Sequence, residues 1–268
     1  RPADWWTLYN HATLTRLVSH VWKSTADARI AAAQVEEAEA VLRQVNAGLF
    51  PEFDLAGGAT RSRVSTETAT PNLAPLVRDE RRIGVSTAFE LDFWGKLRRA
   101  SEAARAQALS TTYGRDVVRL TLAGTTAQGY LSLRSLDAQI AVVRNSLRSR
   151  EETLDVVKSR RLAGLASDLD FNQALGARAD AAAQLAELQR QRMAAENLLR
   201  ALTGNGDLRI AEGDIRQLPM PPLPPPGLPS ALLDRRPDVR AAEQSLVAAN
   251  AQIGVAKAAL FPGISLTG

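Results

Sequence analysis

Two periods alternate along this chain. Between Ile83 and Phe93 the period is two: Ile83, Val85, Thr87, Phe89, Leu91 and Phe93 interleave with Arg82, Gly84, Ser86, Ala88, Glu90 and Asp92. A fainter alternation follows Pro51, with Phe53, Leu55, Gly57 and Ala59 set against Glu52, Asp54, Gly58 and Thr60. The pattern predicts a β-hairpin with strands at about 51–63 and 81–93. A polar surface loop over 64–80, carrying Pro71, Asn72 and Pro75, joins them. Elsewhere the period is helical. No proline falls between Pro75 and Pro219, although the chain has 13, and Ala, Leu, Arg, Gln and Glu dominate the interval. Its one strong break is Arg160–Asp168, where Gly164 offers a stop and Ser167-Asp168 a restart. Two helices are expected, about 95–162 and 168–203, folded back on one another. At 1.5 Å per residue the first is on the order of 100 Å long.

Heptad-like seams run along these helices. Tyr113, Val117, Leu120, Gly124, Ala127 and Leu131 form one. Leu133, Leu136, Ile140, Val143 and Leu147 form a second after a register shift, and Leu185, Leu188, Ala195, Leu199 and Leu202 line the returning helix. Gly124, Gly129 and Gly176 permit close approach. Before the hairpin, 4–22 reads as a short amphipathic helix with Trp5, Trp6 and Trp22, and Ser24 as the cap of a helix ending before Pro51. After Gly204 an irregular stretch leads into the proline-dense run Leu218–Pro229, and a further helix starts near Pro237.

The hairpin admits two readings. Strands of about ten residues with one apolar face match a transmembrane barrel strand, with Phe53, Leu55, Ile83, Val85, Phe89, Leu91 and Phe93 toward lipid. Arg61, Arg63 and Arg81 then lie at the loop rim, and Phe53, Phe89, Phe93 and Trp94 form an aromatic girdle at the other end. A half-buried hairpin on a soluble core shows the same alternation. Two strands cannot close a barrel, so the membrane reading demands more strands from this chain or from copies of it.

Composition narrows the chemistry. There is no cysteine, which removes thiolate catalysis and cysteine metal sites, and His11 and His20 lack metal-ligand spacing. The formal charge of +4 is spread as arginines among Glu, Asp and Gln, which reads as a solvated helix face rather than a nucleic-acid surface. Carboxylates are many, but none sits in a compact motif with His, Ser or a glycine loop. No catalytic residue, metal or cofactor is expected, and an enzyme is the weakest reading.

The chain also repeats itself. Residues 237–268 lie on 26–57 without a gap, matching at 11 of 32 positions, including Leu49/Leu260, Phe50/Phe261 and Pro51/Pro262. Both copies run from helix into strand through Phe-Pro. The second strand is expected to find no partner within this chain, and the sequence to continue beyond Gly268.

Four stretches together resemble the TolC-type outer-membrane efflux channels, most closely their OprM-like (NodT-type) lipoprotein branch. They are Phe89–Arg98, Arg161–Asp170, Gly227–Val239, and Ala249–Gly254 running on to Phe261-Pro262. The resemblance implies a mainly α fold with a membrane β part. Long α-helical hairpins would form an α-barrel and the β-hairpins a transmembrane β-barrel, shared across a homotrimer. It divides the chain into an equatorial segment (1–25), a helix (26–50), a transmembrane hairpin (51–94) and a long periplasmic helical hairpin (95–204). A proline-rich equatorial connector (205–236) and the start of a second repeat (237–268) follow. It also implies a periplasmic adaptor protein, an inner-membrane efflux pump reached indirectly, and outer-membrane lipid as partners. The branch normally begins with a lipidated cysteine after a leader, so both are expected upstream, with a second hairpin and helical pair downstream.

On this resemblance Arg161, Leu162, Gly164, Leu165 and Ser167 form the adaptor-docking tip, and Glu90 and Asp92 are lumen-facing acids. The plainer readings are an ordinary helical turn and polar side chains facing water. The implied function is a passive exit duct for drugs or other small molecules. The competing reading is a soluble coiled-coil scaffold or adaptor, which has no need of an alternating strand pair with arginines gathered at the loop end.

Overall fold

The computed structural model describes residues 4–63, 77–221 and 230–268. The helices are α1 (Ala12–Ser24), α2 (Ala26–Ala47), α3 (Lys96–Leu162), α4 (Asp168–Thr203) and α5 (Pro237–Ala258). The strands are β1 (Glu52–Arg63), β2 (Val77–Leu91) and β3 (Ile264–Thr267). The fold is thus mainly helical with a small antiparallel sheet, as expected. It divides into two compact units, Arg1–Ala33 with Gly114–Asp238 and Gln34–Tyr113 with Val239–Gly268.

The first unit is built where the N-terminal segment and α1 pack against α3 and α4. Leu14, Leu17 and Val18 of α1 join Trp6, Ala123, Ala127, Tyr130, Leu133, Leu199 and Ile210 in one buried cluster. Ser24 does not cap α2 as expected, because it is the last residue of α1. Its hydroxyl donates to the Thr203 carbonyl, and the Thr25 hydroxyl donates to that of Leu202. These bonds satisfy carbonyls that the last turn of α4 leaves without helical partners. The expected amphipathic 4–22 segment divides into a 3-10 turn at Trp5–Tyr9 and α1.

The seams need revision. Ile140, Val143 and Leu188 form a buried cluster with Leu136 and Leu185 against it, as expected. Upstream, however, Leu120 is exposed, and the buried stripe is Ala123, Ala127, Tyr130 and Leu133. This stripe runs into Ile140 without the register shift that the larger residues suggested. Small alanines mark the seam because α1 and Trp6 cover it closely, which a search weighted toward leucine overlooks. Of the three glycines, Gly129 alone has a close neighbour: a Cβ there would lie 3.3 Å from Leu199 Cδ2, whereas Gly124 and Gly176 face open space.

The second unit holds the sheet, in the order β1-β2-β3, with its supporting helices. β2 is longer at its start than the alternation suggested, beginning at Val77 opposite Arg63, and it ends at Leu91. The residues placed in the loop at 77–80 therefore belong to the strand, while Pro71, Asn72 and Pro75 lie outside the described residues, as do residues 222–229 of the proline run. β3 corrects a further expectation. It has a partner within the chain, pairing antiparallel with β2 from Ala88↔Thr267 to Leu91↔Ile264. The duplication is visible in the elements: α2 and α5 each span 22 residues, and their ends fall at equivalent repeat positions. Between α3 and α5 the contact is close, with alanines 103, 106, 248 and 251 buried and the Ser110 hydroxyl donating to the Ala241 carbonyl.

Candidate functional site

The turn between α3 and α4 is closed by its own backbone at the end of α3 and by a side-chain cap at the start of α4. Gly164 sits at φ +73°, its N–H donating to the Arg161 carbonyl and that of Leu165 to the Arg160 carbonyl. This is the Schellman arrangement, which uses the last free carbonyls of α3. A Cβ on Gly164 would meet nothing within 4 Å, so glycine is needed there for its left-handed backbone and not for space. On the other side Ser167 caps α4. Its hydroxyl accepts from the Asp170 N–H, while the Asp170 carboxylate accepts from the Ser167 N–H, a complete capping box. The Ser167 hydroxyl's bond to the carboxylate is the main reason Asp170 is held below its ordinary pKa.

Arg161 ties the two helix ends, with Nε 2.6 Å from Asp168 Oδ1 and its guanidinium 4.7 Å from the Phe171 ring centroid. Leu162 and Leu165 face solvent at 81% and 70% exposure. The expected tip residues are thus brought together. Leu169, 65% exposed, adds a third leucine that sequence reasoning missed. The result is a stiff turn presenting apolar side chains to water.

The sheet presents a second exposed apolar surface. Cα pairing places Leu55 opposite Val85, Gly57 opposite Ile83, Phe89 opposite Leu266 and Leu91 opposite Ile264, all of one parity and hence one face. Phe53, opposite Thr87, belongs to it too. Leu55 and Ile83 are 74% and 81% exposed, and Phe89 and Leu91 are half-buried. The opposite face carries Asp54, Gly58, Thr60, Arg82, Gly84, Ser86 and Glu90.

Asp92 and Phe93, expected within the second strand, lie beyond its end. Asp92 instead closes the start of α3, its carboxylate accepting from the N–H groups of Leu97 and Arg98 and from Arg98 Nε. A helix N-terminus draws the acid there. Glu90 pairs with Lys96 at 3.0 Å. Beside them Trp94 stacks on Phe261, centroids 4.6 Å apart, and its Nε1 donates to the Pro262 carbonyl. This contact joins the strand–helix junction of one repeat to the helix–strand junction of the next.

The charges read as a solvated face are partly buried. In the first unit Asp137 is 5% exposed and accepts from Arg134 Nη1 (3.0 Å), Arg192 Nε (2.6 Å) and the Gly213 N–H (3.1 Å). Glu196, also buried, accepts from the Ile210 N–H, while Arg134, Arg192 and Arg200 donate to the carbonyls of Ala211, Ile210 and Leu208. Segment 208–213 has no helix or strand, so side chains supply its hydrogen bonds. The signal was the spacing Arg134–Asp137 and Arg192–Glu196 on facing helices, which also suits exposed pairs. His11 is the structural histidine, its Nδ1 3.1 Å from the buried Tyr130 hydroxyl, and His20 is exposed.

Among the described residues no cluster of His, Asp and Glu could hold a metal ion, and no helix is long and apolar enough to cross a membrane. A long helical hairpin whose first helix follows directly on a sheet with one exposed apolar face is the arrangement that the resemblance to outer-membrane channels implied. The chain belongs to the outer membrane efflux protein family, whose profile matches residues 17–205 and 228–268, and its place is the outer membrane.

Among relatives it is 34% identical over 98% of its length to the probable efflux pump outer membrane protein SepC of Pseudomonas putida F1. It is 34% identical over 99% to the outer membrane protein OprJ of Pseudomonas aeruginosa PAO1. It spans 55% and 56% of those proteins. Among solved structures a membrane protein from Pseudomonas aeruginosa superposes with TM-score 0.88 at 33% identity, covering 98% of this chain and 62% of that one. A structure of CusC does so with TM-score 0.87 at 32% identity, covering 100% and 61%.

Proposed function

We propose that the protein is the outer-membrane exit duct of a tripartite efflux system, passively passing drugs or other small molecules from an inner-membrane pump and a periplasmic adaptor to the exterior. One observation carries this reading: a sheet whose apolar face is exposed, whose other face is polar, and whose outer edges are open. Such edges are not tolerated in lipid unless further strands close them. Three copies joined as a homotrimer, with the strands of a second repeat, would close the barrel. The apolar band from Leu91 to Ile83 spans roughly 27 Å along the strand at ~3.4 Å per residue. Tilted by about 40° it covers some ~20 Å, close to the ~25 Å band of outer-membrane barrels.

In this reading Phe53, Leu55, Ile83, Val85, Phe89, Leu91 and Phe93 meet lipid. Glu90 lines the bore, and Asp92 lies at its lower mouth. The α3–α4 pair supplies staves of a periplasmic α-barrel, and 1–25 and 205–236 supply its equatorial belt. The α3–α4 turn docks the adaptor: Gly164 and the Ser167 cap hold the shape, Arg161 braces it, and Leu162 and Leu165 offer the apolar contact. Relatives named as toluene and cation efflux components show that cargo differs within the family, so the cargo is left at small molecules.

The test has two parts. The full-length protein should require detergent for extraction and run as a trimer; a monomer or dimer soluble without detergent would end the duct reading. Replacing Gly164 and Leu165 with bulky charged residues should abolish export while trimer and surface abundance persist. Unchanged drug sensitivity would remove the docking role.

A further inference from the structure

The apolar face of the hairpin ends in cations. Going toward the loop, the same-face pairs run Leu55↔Val85, Gly57↔Ile83, Ala59↔Arg81, Arg61↔Asp79 and Arg63↔Val77. Arg61, Arg63 and Arg81 therefore share the parity of the lipid-facing residues and begin where the apolar band stops. On this face Arg63 follows Arg61 by two residues along β1, and Arg81 sits diagonally from Arg61, about 7–8 Å away by strand geometry. The one carboxylate among them, Asp79, lies 3.5 Å from Arg61 Nε with both side chains well exposed, so the pair is weak. On the opposite face Arg82 is already joined to Glu80 at 2.8 Å.

An arginine on a lipid-facing position costs about 2–4 kcal/mol at the bilayer midplane and about 0–1 near its surface. Three of them at one end mark that end as a headgroup region. The other end of the band is finished with Phe89, Phe93 and Trp94 instead. Aromatic rings suit any interface. A row of guanidiniums, each able to take two phosphate oxygens at once, suits one dense in phosphate.

We propose, resting on the barrel reading above, that Arg61, Arg63 and Arg81 form a phosphate-binding rim for anionic lipid in the leaflet reached by the hairpin loop. The lipid is a glycolipid with two phosphates on its headgroup. Its acyl chains lie along Leu55, Ile83 and Val85, and its two phosphates bridge adjacent arginines. Single-phosphate lipids engage one arginine at a time. Each arginine near an anionic surface contributes about fivefold in affinity, so the three together contribute on the order of a hundredfold.

The experiment uses the full-length protein in detergent, with bound lipid read by native mass spectrometry. Diphosphoryl lipid A, monophosphoryl lipid A, phosphatidylglycerol and inorganic phosphate are the probes. Diphosphoryl lipid A should bind tightest, with inorganic phosphate a poor competitor. The triple variant R61Q/R63Q/R81Q should lose tenfold or more, and R82Q on the other face less than twofold. Equal binding by the triple variant overturns the rim. So does equal affinity for the mono- and diphosphorylated lipids, efficient competition by inorganic phosphate, or a matching loss in R82Q. If the triple variant still extracts as a detergent-requiring trimer while lipid binding is unchanged, the rim alone fails. If the wild type needs no detergent, the barrel reading and the rim fail together.

Discussion

Replacing Asp137 with alanine removes the acid at the centre of the clamp on segment 208–213. Asp137 has 1% side-chain exposure and faces Arg134 and Arg192, themselves 9% and 15% exposed. Its loss leaves two nearly buried guanidiniums without their shared carboxylate and the Gly213 N–H without an acceptor. Breaking a buried ion pair from one side costs about 3–5 kcal/mol. Glu196 remains beside Arg192 at 3.1 Å, which places the expected loss toward about 3 kcal/mol. Because the segment is held by side chains, the loss should appear as local opening and not as global unfolding. Hydrogen exchange on the full-length protein reads it directly. Protection at Ile210 and Gly213 should fall by on the order of a hundredfold, at about 1.4 kcal/mol per tenfold, while the α3–α4 turn keeps its rates. Unchanged protection at both amides would refute the clamp.

Other consequences follow from single contacts. Gly164→Ala introduces no clash but forces a side chain onto a left-handed backbone, so it should cost about 1–2 kcal/mol at the turn. Exchange at the Leu165 amide should speed roughly five- to thirtyfold, and an unchanged rate would contradict the Schellman closure. For Trp94 and Phe261, a double-mutant cycle with Trp94→Leu and Phe261→Leu should give a coupling of about 0.5–1.5 kcal/mol in chemical unfolding; additive single effects would show the stack to be idle. Burial first, and then the charge of Arg134, lowers the pKa of His11 from its ordinary 6.5. The folded state therefore favours the neutral ring, and the stability this gives is present above pH 6.5 and is lost as pH falls toward the lowered value. Protection across 4–11, taken relative to the intrinsic exchange rate at each pH, should fall over that window, and His11→Gln should flatten the fall. A pH-independent protection factor in the wild type would rule out the Tyr130 contact as its anchor.

Much of this architecture was legible because the signals were long. A proline-free interval with one glycine break leaves little besides two helices, and their observed ends at Leu162 and Asp168 fall at the break. The alternation from Ile83 likewise set the parity of the hairpin face, which the cross-strand pairs then extend to Leu266 and Ile264. What escaped depends on partners distant in sequence. Alanine seams at Ala123 and Ala127 carry little hydrophobic signal until Trp6 and α1 are seen to cover them. The Asp137 clamp looks like ordinary surface charge because the segment it holds is 76 residues away. Asp92 fitted the strand alternation, but the pull of the α3 N-terminus ended the strand at Leu91, two residues before the expected end at 93. At the α3–α4 turn the stop at Gly164 and the cap at Ser167 were legible, since such signals act within a few residues, whereas the exposure of Leu169 was not.

In the duct reading one face of β2 meets lipid and the other meets water. Residues 82–91 carry no cysteine of their own, so each can in turn be replaced by a single cysteine as the point of labelling. Spin labels on these positions in the full-length protein, reconstituted in bilayers, should alternate with period two. Odd positions, 83, 85, 87, 89 and 91, should be open to oxygen and shielded from a water-soluble nickel chelate, and even positions should show the reverse. Equal access of the nickel chelate to both sets would contradict the account.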